Sequence, residues 1–187
     1  MPCYNCKTTL REAVNSVYAQ NLAIPFEILM VDDGSNDGTR ELIEQLSIKY
    51  KEIKYVFHER NEGGGAARNT AVNNSSADII FCLDSDDILP DNMLPRMLKC
   101  LDDKKCDGVV IGRSVFFVDN VKNIRNEVDY EERKLKFKDL FSNTPTSVTG
   151  NFLYKRSVFD KVGGYPVMHG FDTQGYGFRL LANNLNI

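Results

Sequence analysis

Apolar residues recur along the first half of the chain in two alternating rhythms. Leu10, Ala13, Val14, Val17 and Tyr18 fall at i, i+3, i+4, i+7 and i+8, one face of an amphipathic helix. FEILMV (Phe26–Val31) is a short unbroken apolar run closed by the polar DDGSNDGT, and predicts a buried strand. Leu42, Ile43, Leu46 and Tyr50 mark a second helix face, and IKYVFH predicts a second strand from Ile53. The glycine-rich NEGGGAARN follows, then a short alanine-containing helix to about Ser75. DIIFCLD predicts a third strand; Met93, Leu94, Met97, Leu98 and Leu101 give a third helix face; GVVIGRSVFFV is a long β-rich run. Strands alternating with helices at this spacing imply right-handed crossovers and an α/β fold, its mostly parallel sheet flanked by helices on both faces.

From Asp119 to Lys138 the pattern turns charged and irregular. YEERKLKFKDLF reads first as a solvated helix face or insertion, and secondly as an amphipathic helix making peripheral contact with a membrane or an acidic acceptor. After it come a strand in GNFLYK, a short helix from Ser157, a Gly163–Gly164 turn and a last helix through FRLLANN.

Bulk numbers narrow the class only a little. A chain of 187 residues suits one domain with a sizeable core. Its net charge of −3 and pI near 5.5 argue against a general nucleic-acid binder, which carries a basic excess. No apolar stretch approaches the roughly 20 residues of a membrane span, and MPCYNCKTTLRE lacks the apolar core of a signal peptide. The expected setting is cytoplasmic, with the inner face of the membrane as an option. Cys3 and Cys6 have C-x-x-C spacing, which fits redox chemistry or half a zinc site. His58 and His169 lie too far apart in sequence to complete the latter, so the five cysteines read as reduced thiols, with Cys82 in the core.

The chemistry gathers at strand ends. In open parallel sheets, ligands bind beyond the carboxyl ends of the strands, and three polar clusters stand there: VDDGS, HERNEGGGAARN and DSDD. Singly, each is explained by the turn and helix-cap preferences of Asp and Gly. Jointly, they align carboxylates, glycines and Arg68 along one sheet edge. Asp33 can accept from a base edge or ribose, Tyr4 can stack under a base, and the glycines admit a close ligand. Arg68 offers a planar cationic fork. Asp84, Asp86 and Asp87 crowd three carboxylates into four positions, so a cation is expected to compensate them; Asp84 and Asp86 suit a hard divalent ion that also bridges phosphate oxygens. The combination reads as a site for a nucleoside diphosphate carrying a group to be transferred.

PCYN, VDDGSNDGT, NEGGGAARN, FCLDSDD and KVGGY resemble, in that order from Pro2 to about Arg179, the sequence blocks of the family 2 glycosyltransferases, which have the GT-A fold. The resemblance implies inverting transfer of a sugar, hexosyl or N-acetylhexosaminyl, from a nucleotide-sugar donor, usually a uridine diphosphate sugar, with Mg²⁺ or Mn²⁺. The acceptor would be a saccharide or a lipid-linked saccharide, as in polysaccharide biosynthesis. It assigns the nucleotide to Pro2, Tyr4, Asp33, Gly63, Arg68, Asp84 and Ser85, and the metal to Asp86 with Asp84. It also implies one domain over 1–187, with residues 1–118 as the nucleotide-binding half and 119–187 facing the acceptor.

Two departures from the family's pattern set expectations. A full apolar strand precedes P-x-Y-N in the family, whereas only Met1 stands before Pro2 here. The first strand therefore reads as missing, and the sheet is expected to show a gap or an intruding segment beside FEILMV. The family's Glu-Asp pair, whose Asp is the catalytic base about six residues before an Arg, is absent from VMHGFDTQGYGFR. Asp172, seven before Arg179, becomes the candidate base, with helix capping as its competing role. Two further readings stay open: a truncated nucleotide-sugar-binding domain without turnover, and a haloacid dehalogenase-type phosphatase with Asp84 as nucleophile.

Overall fold

The computed structural model describes residues 1–110, 113–117, 124–129, 151–168, 170–183 and 185–187. The basic segment YEERKLKFKDLF lies outside the described residues.

The first sheet is parallel, in the order β1 (Pro2–Cys3), β2 (Ile28–Asp32), β3 (Ile53–Phe57). Helix α1 (Leu10–Tyr18) links β1 to β2, and α2 (Thr39–Lys49) links β2 to β3. The predicted helix faces are the buried ones: Leu10, Val14 and Val17 of α1 and Leu42, Ile43 and Leu46 of α2 pack with Ile28, Met30 and Ile53. Every residue of β2 is buried, as its unbroken apolar run requires. The predicted strand starts two residues too early, because Phe26 and Glu27 precede the pairing that begins at Ile28↔Ile53.

Helix α3 (Gly64–Asn74) leads on to β4 (Ile79–Phe81), and α4 (Met93–Asp103) to β5 (Gly108–Val110). The run GVVIGRSVFFV is divided: after β5, a separate strand β6 (Arg113–Phe117) pairs antiparallel with β7 (Ile124–Asp129) in a two-stranded ribbon. Strand β8 (Phe152–Lys155) then lies between β4 and β5, antiparallel to both. Helices α5 (Arg156–Val162) and α6 (Asp172–Ala182) close the described chain over an aromatic core of Phe152, Tyr154, Phe159, Tyr165 and Tyr176. The insertion of β8 makes the second sheet antiparallel, and nothing in the period of its residues announces that direction.

The gap expected beside FEILMV is present, with one correction. The first strand, expected to be missing, is present in short form: Pro2 and Cys3 form β1, pairing with Val31 and Asp32, and the Met1 amino group donates to Leu29 O at 2.8 Å. Beyond this stub, no strand pairing joins the first sheet to the second among the described residues. A largely apolar cleft of about 400 Å³ separates them, bounded by Ile28 and Leu29 on one side and Ile79, Ile80 and Phe81 on the other. No described helix is long and apolar enough to cross a membrane.

Candidate active site

The three polar clusters do converge. Pro2, Tyr4, Asp33, Gly63, Arg68, Asp84, Ser85 and Asp86 line one cavity of about 460 Å³ at the carboxyl ends of β1, β2 and β4. Tyr4 stands at its edge, 51% exposed, on the turn between β1 and α1. The next residue, Asn5, has φ 48°, a left-handed conformation that Asn tolerates, and its backbone N–H donates to Ser35 Oγ at 2.9 Å. Asn5 Oδ1 in turn accepts from Asn36 N at 2.9 Å. The Tyr4 loop is thereby tied to the loop after β2.

Asp33 is buried and holds the glycine segment in place. Its Oδ1 accepts from Glu62 N at 2.9 Å and pairs with His58 Nδ1 at 2.7 Å; its Oδ2 accepts from Gly63 N at 2.8 Å. A carboxylate has about four acceptor positions, so one on Oδ2 is left for a ligand. Gly63 sits at φ 94°, ψ 155°, a region essentially closed to side-chain-bearing residues. The other two glycines are helical rather than a flexible loop. They open α3 because a Cβ on Gly65 would lie 2.1 Å from Pro166 O, so only glycine lets the helix start abut that segment.

Arg68 is buried, and each of its three side-chain nitrogens has a partner. Nε donates to Cys82 Sγ at 3.2 Å, Nη2 to Asp84 Oδ1 and Nη1 to Asp172 Oδ2. Burial works against its charge, yet Cys82, Asp84 and Asp172 together hold its pKa above the ordinary arginine value. Its guanidinium compensates two carboxylates and couples α3 to the start of α6, and Arg68 also lines the cavity.

The acidic cluster resolves into three environments. Asp84 is half-buried on Arg68, with Oδ2 unpartnered among the described residues. Asp87 accepts from Asn151 Nδ2, and Asn151 Oδ1 accepts from Asp84 N at 3.2 Å. Burial, then the charges of Asp84 and Asp86, push the Asp87 pKa up. Asp86 is exposed at the cavity and makes no hydrogen bond or ion pair among the described residues. Part of the compensation expected from a metal is thus supplied by Arg68 and Asn151. No group of three or more His, Cys, Asp or Glu residues suited to a metal occurs among the described residues. The donors that fit a hard divalent cation are Asp86 and the free oxygen of Asp84, which leaves the other ligand positions to phosphate and water.

Asp172 is the first residue of α6, after Phe171 at the N-cap position, and its side chain's one hydrogen-bond partner among the described residues is Arg68. Its side chain is 15% exposed, with Oδ2 on Arg68. It is not among the residues lining the cavity, but Arg68 links it directly to Asp84, which is. Arg179 instead holds the Gly163–Gly164 turn, donating from Nη1 to Gly163 O at 3.0 Å and Gly164 O at 2.6 Å.

Four residues at or beside the site were not singled out by the sequence pattern. His58 stands one residue past β3, at the same sheet edge as the clusters, and that position was the available signal. Asn151 carried none. Cys3 and Cys6 were read as ordinary thiols, yet both line the cavity.

A family model described as "Glycosyl transferase family 2" matches residues 1–163, and the chain belongs to that family. It is 28% identical over 167 residues to glycosyltransferase AglE of Haloferax volcanii, covering 89% of this chain and 54% of the relative. The structure superposes on S. aureus TarS 1–349 in complex with UDP with a TM-score of 0.78 at 22% identity, covering 97% of this chain and 54% of that one. Mannosyltransferase PcManGT from Pyrobaculum calidifontis, in complex with GDP-Man and Mn²⁺, gives 0.67 at 20% identity, covering 94% and 48%. The fold is therefore GT-A. The chain spans about half the length of AglE and of these solved chains. The phosphatase reading falls with the family match, which accounts for VDDGS and GGGAARN as well as DSDD.

Proposed function

We propose that the cavity holds the nucleoside diphosphate of a nucleotide-sugar donor, and that the chain transfers the sugar to an acceptor hydroxyl with inversion. The observation that carries this reading is the convergence of Tyr4, Asp33, Gly63, Asp84 and Asp86 from four separate strand ends on one cavity. Tyr4 supplies an exposed aromatic face for the base, and the remaining acceptor position of Asp33 faces a base edge or ribose. Asp86, with Asp84 Oδ2, would hold Mg²⁺ or Mn²⁺, which when bound neutralises charge on the leaving diphosphate. Asp172 takes the acceptor's proton on Oδ1, the oxygen that Arg68 leaves free, while Arg68 keeps that carboxylate oriented.

A uridine diphosphate hexose or N-acetylhexosamine is the donor class we favour, with a saccharide or lipid-linked saccharide as acceptor and polysaccharide assembly as the setting. A thermal-shift screen of nucleoside diphosphates and their sugars, with and without Mn²⁺, tests it. A ligand at about 100 times its dissociation constant stabilises the folded state by roughly 2.7 kcal/mol. The expected result is a UDP-selective shift that grows with Mn²⁺, accompanied by UDP release from a UDP-sugar when an acceptor sugar is added. A shift without any UDP release would identify a donor-binding domain and overturn the transfer step. No shift with any nucleotide would overturn the site.

A further inference from the structure

The base side and the metal side of the cavity are bridged by a pair of thiols that the proposed transfer does not use. Cys3 is the last residue of β1, and Cys6 lies at the entrance to α1, where its carbonyl accepts from Thr9 N at 3.1 Å and Leu10 N at 2.9 Å. Cys3, Cys6 and Ser85 line the same cavity. Cys6 N donates to Thr39 Oγ1 at 3.0 Å, and that hydroxyl lies 3.9 Å from the Cys6 sulfur. Each thiol is almost completely buried from bulk solvent, yet each lines the cavity, which gives a small oxidant a route of approach. The two residues between them are Tyr4 and Asn5.

We infer that Cys3 and Cys6 form an oxidisable dithiol whose disulfide closes the nucleotide site, so that donor binding depends on thiol redox state. The consequence for binding rests on the proposed donor site; the thiol chemistry does not. A disulfide needs the sulfurs at about 2.05 Å. Drawing them together shortens the loop that presents Tyr4. It also re-aims Cys6, which lines the same cavity as Ser85, whose neighbours in sequence are Asp84 and Asp86. One bond therefore disturbs the base platform and the acidic cluster together.

The oxidant required is a small-molecule disulfide. Cys6, as thiolate, attacks one of its sulfurs and expels one thiolate, leaving a mixed disulfide on Cys6. Cys3 then gives up its proton, attacks the Cys6 sulfur and expels the second thiolate. The two protein thiols are oxidised, the small disulfide is reduced to two thiols, and the two protons released go to those leaving groups. The order of attack follows from the surroundings. The Cys3 hydrogen bond, helped by Ser85 and Thr39, draws the Cys6 thiol down to about 7, whereas the Cys6 contact and burial push Cys3 up.

The test uses the whole chain with oxidised glutathione. Cleavage after Lys7 gives a peptide, Met1–Lys7, that carries both cysteines and none of the other three. After oxidation this peptide should be lighter by two hydrogens and resist alkylation, while Cys82, Cys100 and Cys106 still alkylate. UDP affinity in Mn²⁺, measured by titration calorimetry, should fall at least about tenfold and return on reduction with dithiothreitol. Cys100→Ser should respond as the unmodified chain does. The inference is overturned if Met1–Lys7 stays doubly alkylated, if glutathione persists on Cys6 without resolution, or if the disulfide forms and UDP affinity is unchanged. Should the reduced chain bind no UDP, the proposed donor site fails and the proposed control of donor binding fails with it; the peptide map still decides whether the two cysteines pair.

Discussion

Replacing Asp86 by Ala should remove the metal-dependent part of nucleotide binding while leaving the fold intact. Of the three clustered carboxylates, Asp84 has Arg68 on Oδ1 and Asp87 has Asn151 on Oδ2, while Asp86 is exposed with no partner among the described residues. Its removal costs no internal contact, and exposed substitutions of that kind change stability by about 0.5 kcal/mol or less. It does remove the one wholly uncommitted carboxylate at the cavity. With no group of three or more metal-suited His, Cys, Asp or Glu among the described residues, Mn²⁺-assisted UDP affinity should drop on the order of a hundredfold, as changes around metal sites commonly produce. In a thermal-shift measurement the Ala variant should melt where the parent does, and Mn²⁺ should add nothing to its UDP response. If the variant retains the Mn²⁺ increment, the ion is held elsewhere.

Asp172→Asn has the second large expected effect, on turnover rather than binding. A general base contributes about 10²–10⁴-fold, and the amide cannot take a proton from the acceptor hydroxyl. The substitution keeps the shape of the side chain and leaves an oxygen to accept from Arg68, and Asp172 is not among the residues lining the cavity. UDP affinity should therefore change little while UDP-sugar turnover falls by about 10²–10⁴-fold, the pattern of an interaction made only in the transition state. A variant with unchanged turnover and a lower melting temperature would make the Arg68–Asp172 pair a structural clasp between α3 and α6, and the base would have to be another residue.

The sequence was most informative where burial is periodic. The α1 and α2 faces, the all-apolar β2 and the strand-end clusters are consequences of local pattern, and they place the cavity correctly. What escaped is non-local. That β8 inserts antiparallel between β4 and β5 depends on a return of the chain from far downstream, which no period of two or 3.6 encodes. The commitments of Arg68 and Asp33 were hidden for the same reason. Asp172 is 104 residues from Arg68, and the Asp33 partners Glu62 and Gly63 are 29 and 30 residues away. Residue type announced a charged site; only the fold shows which charges are already spent on each other. The glycines illustrate the boundary case: a glycine-rich stretch beside a ligand edge was legible, but its division into one strained turn residue and a helix start pressed on Pro166 was not.

The central claim is that three strand-end clusters build one nucleoside diphosphate site. Calorimetric titration of UDP into the reduced chain, first in Mn²⁺ and then in EDTA, measures it most directly. The expected result is saturable one-to-one binding in Mn²⁺ that weakens at least about tenfold in EDTA. Absence of saturable UDP binding in both conditions would contradict it.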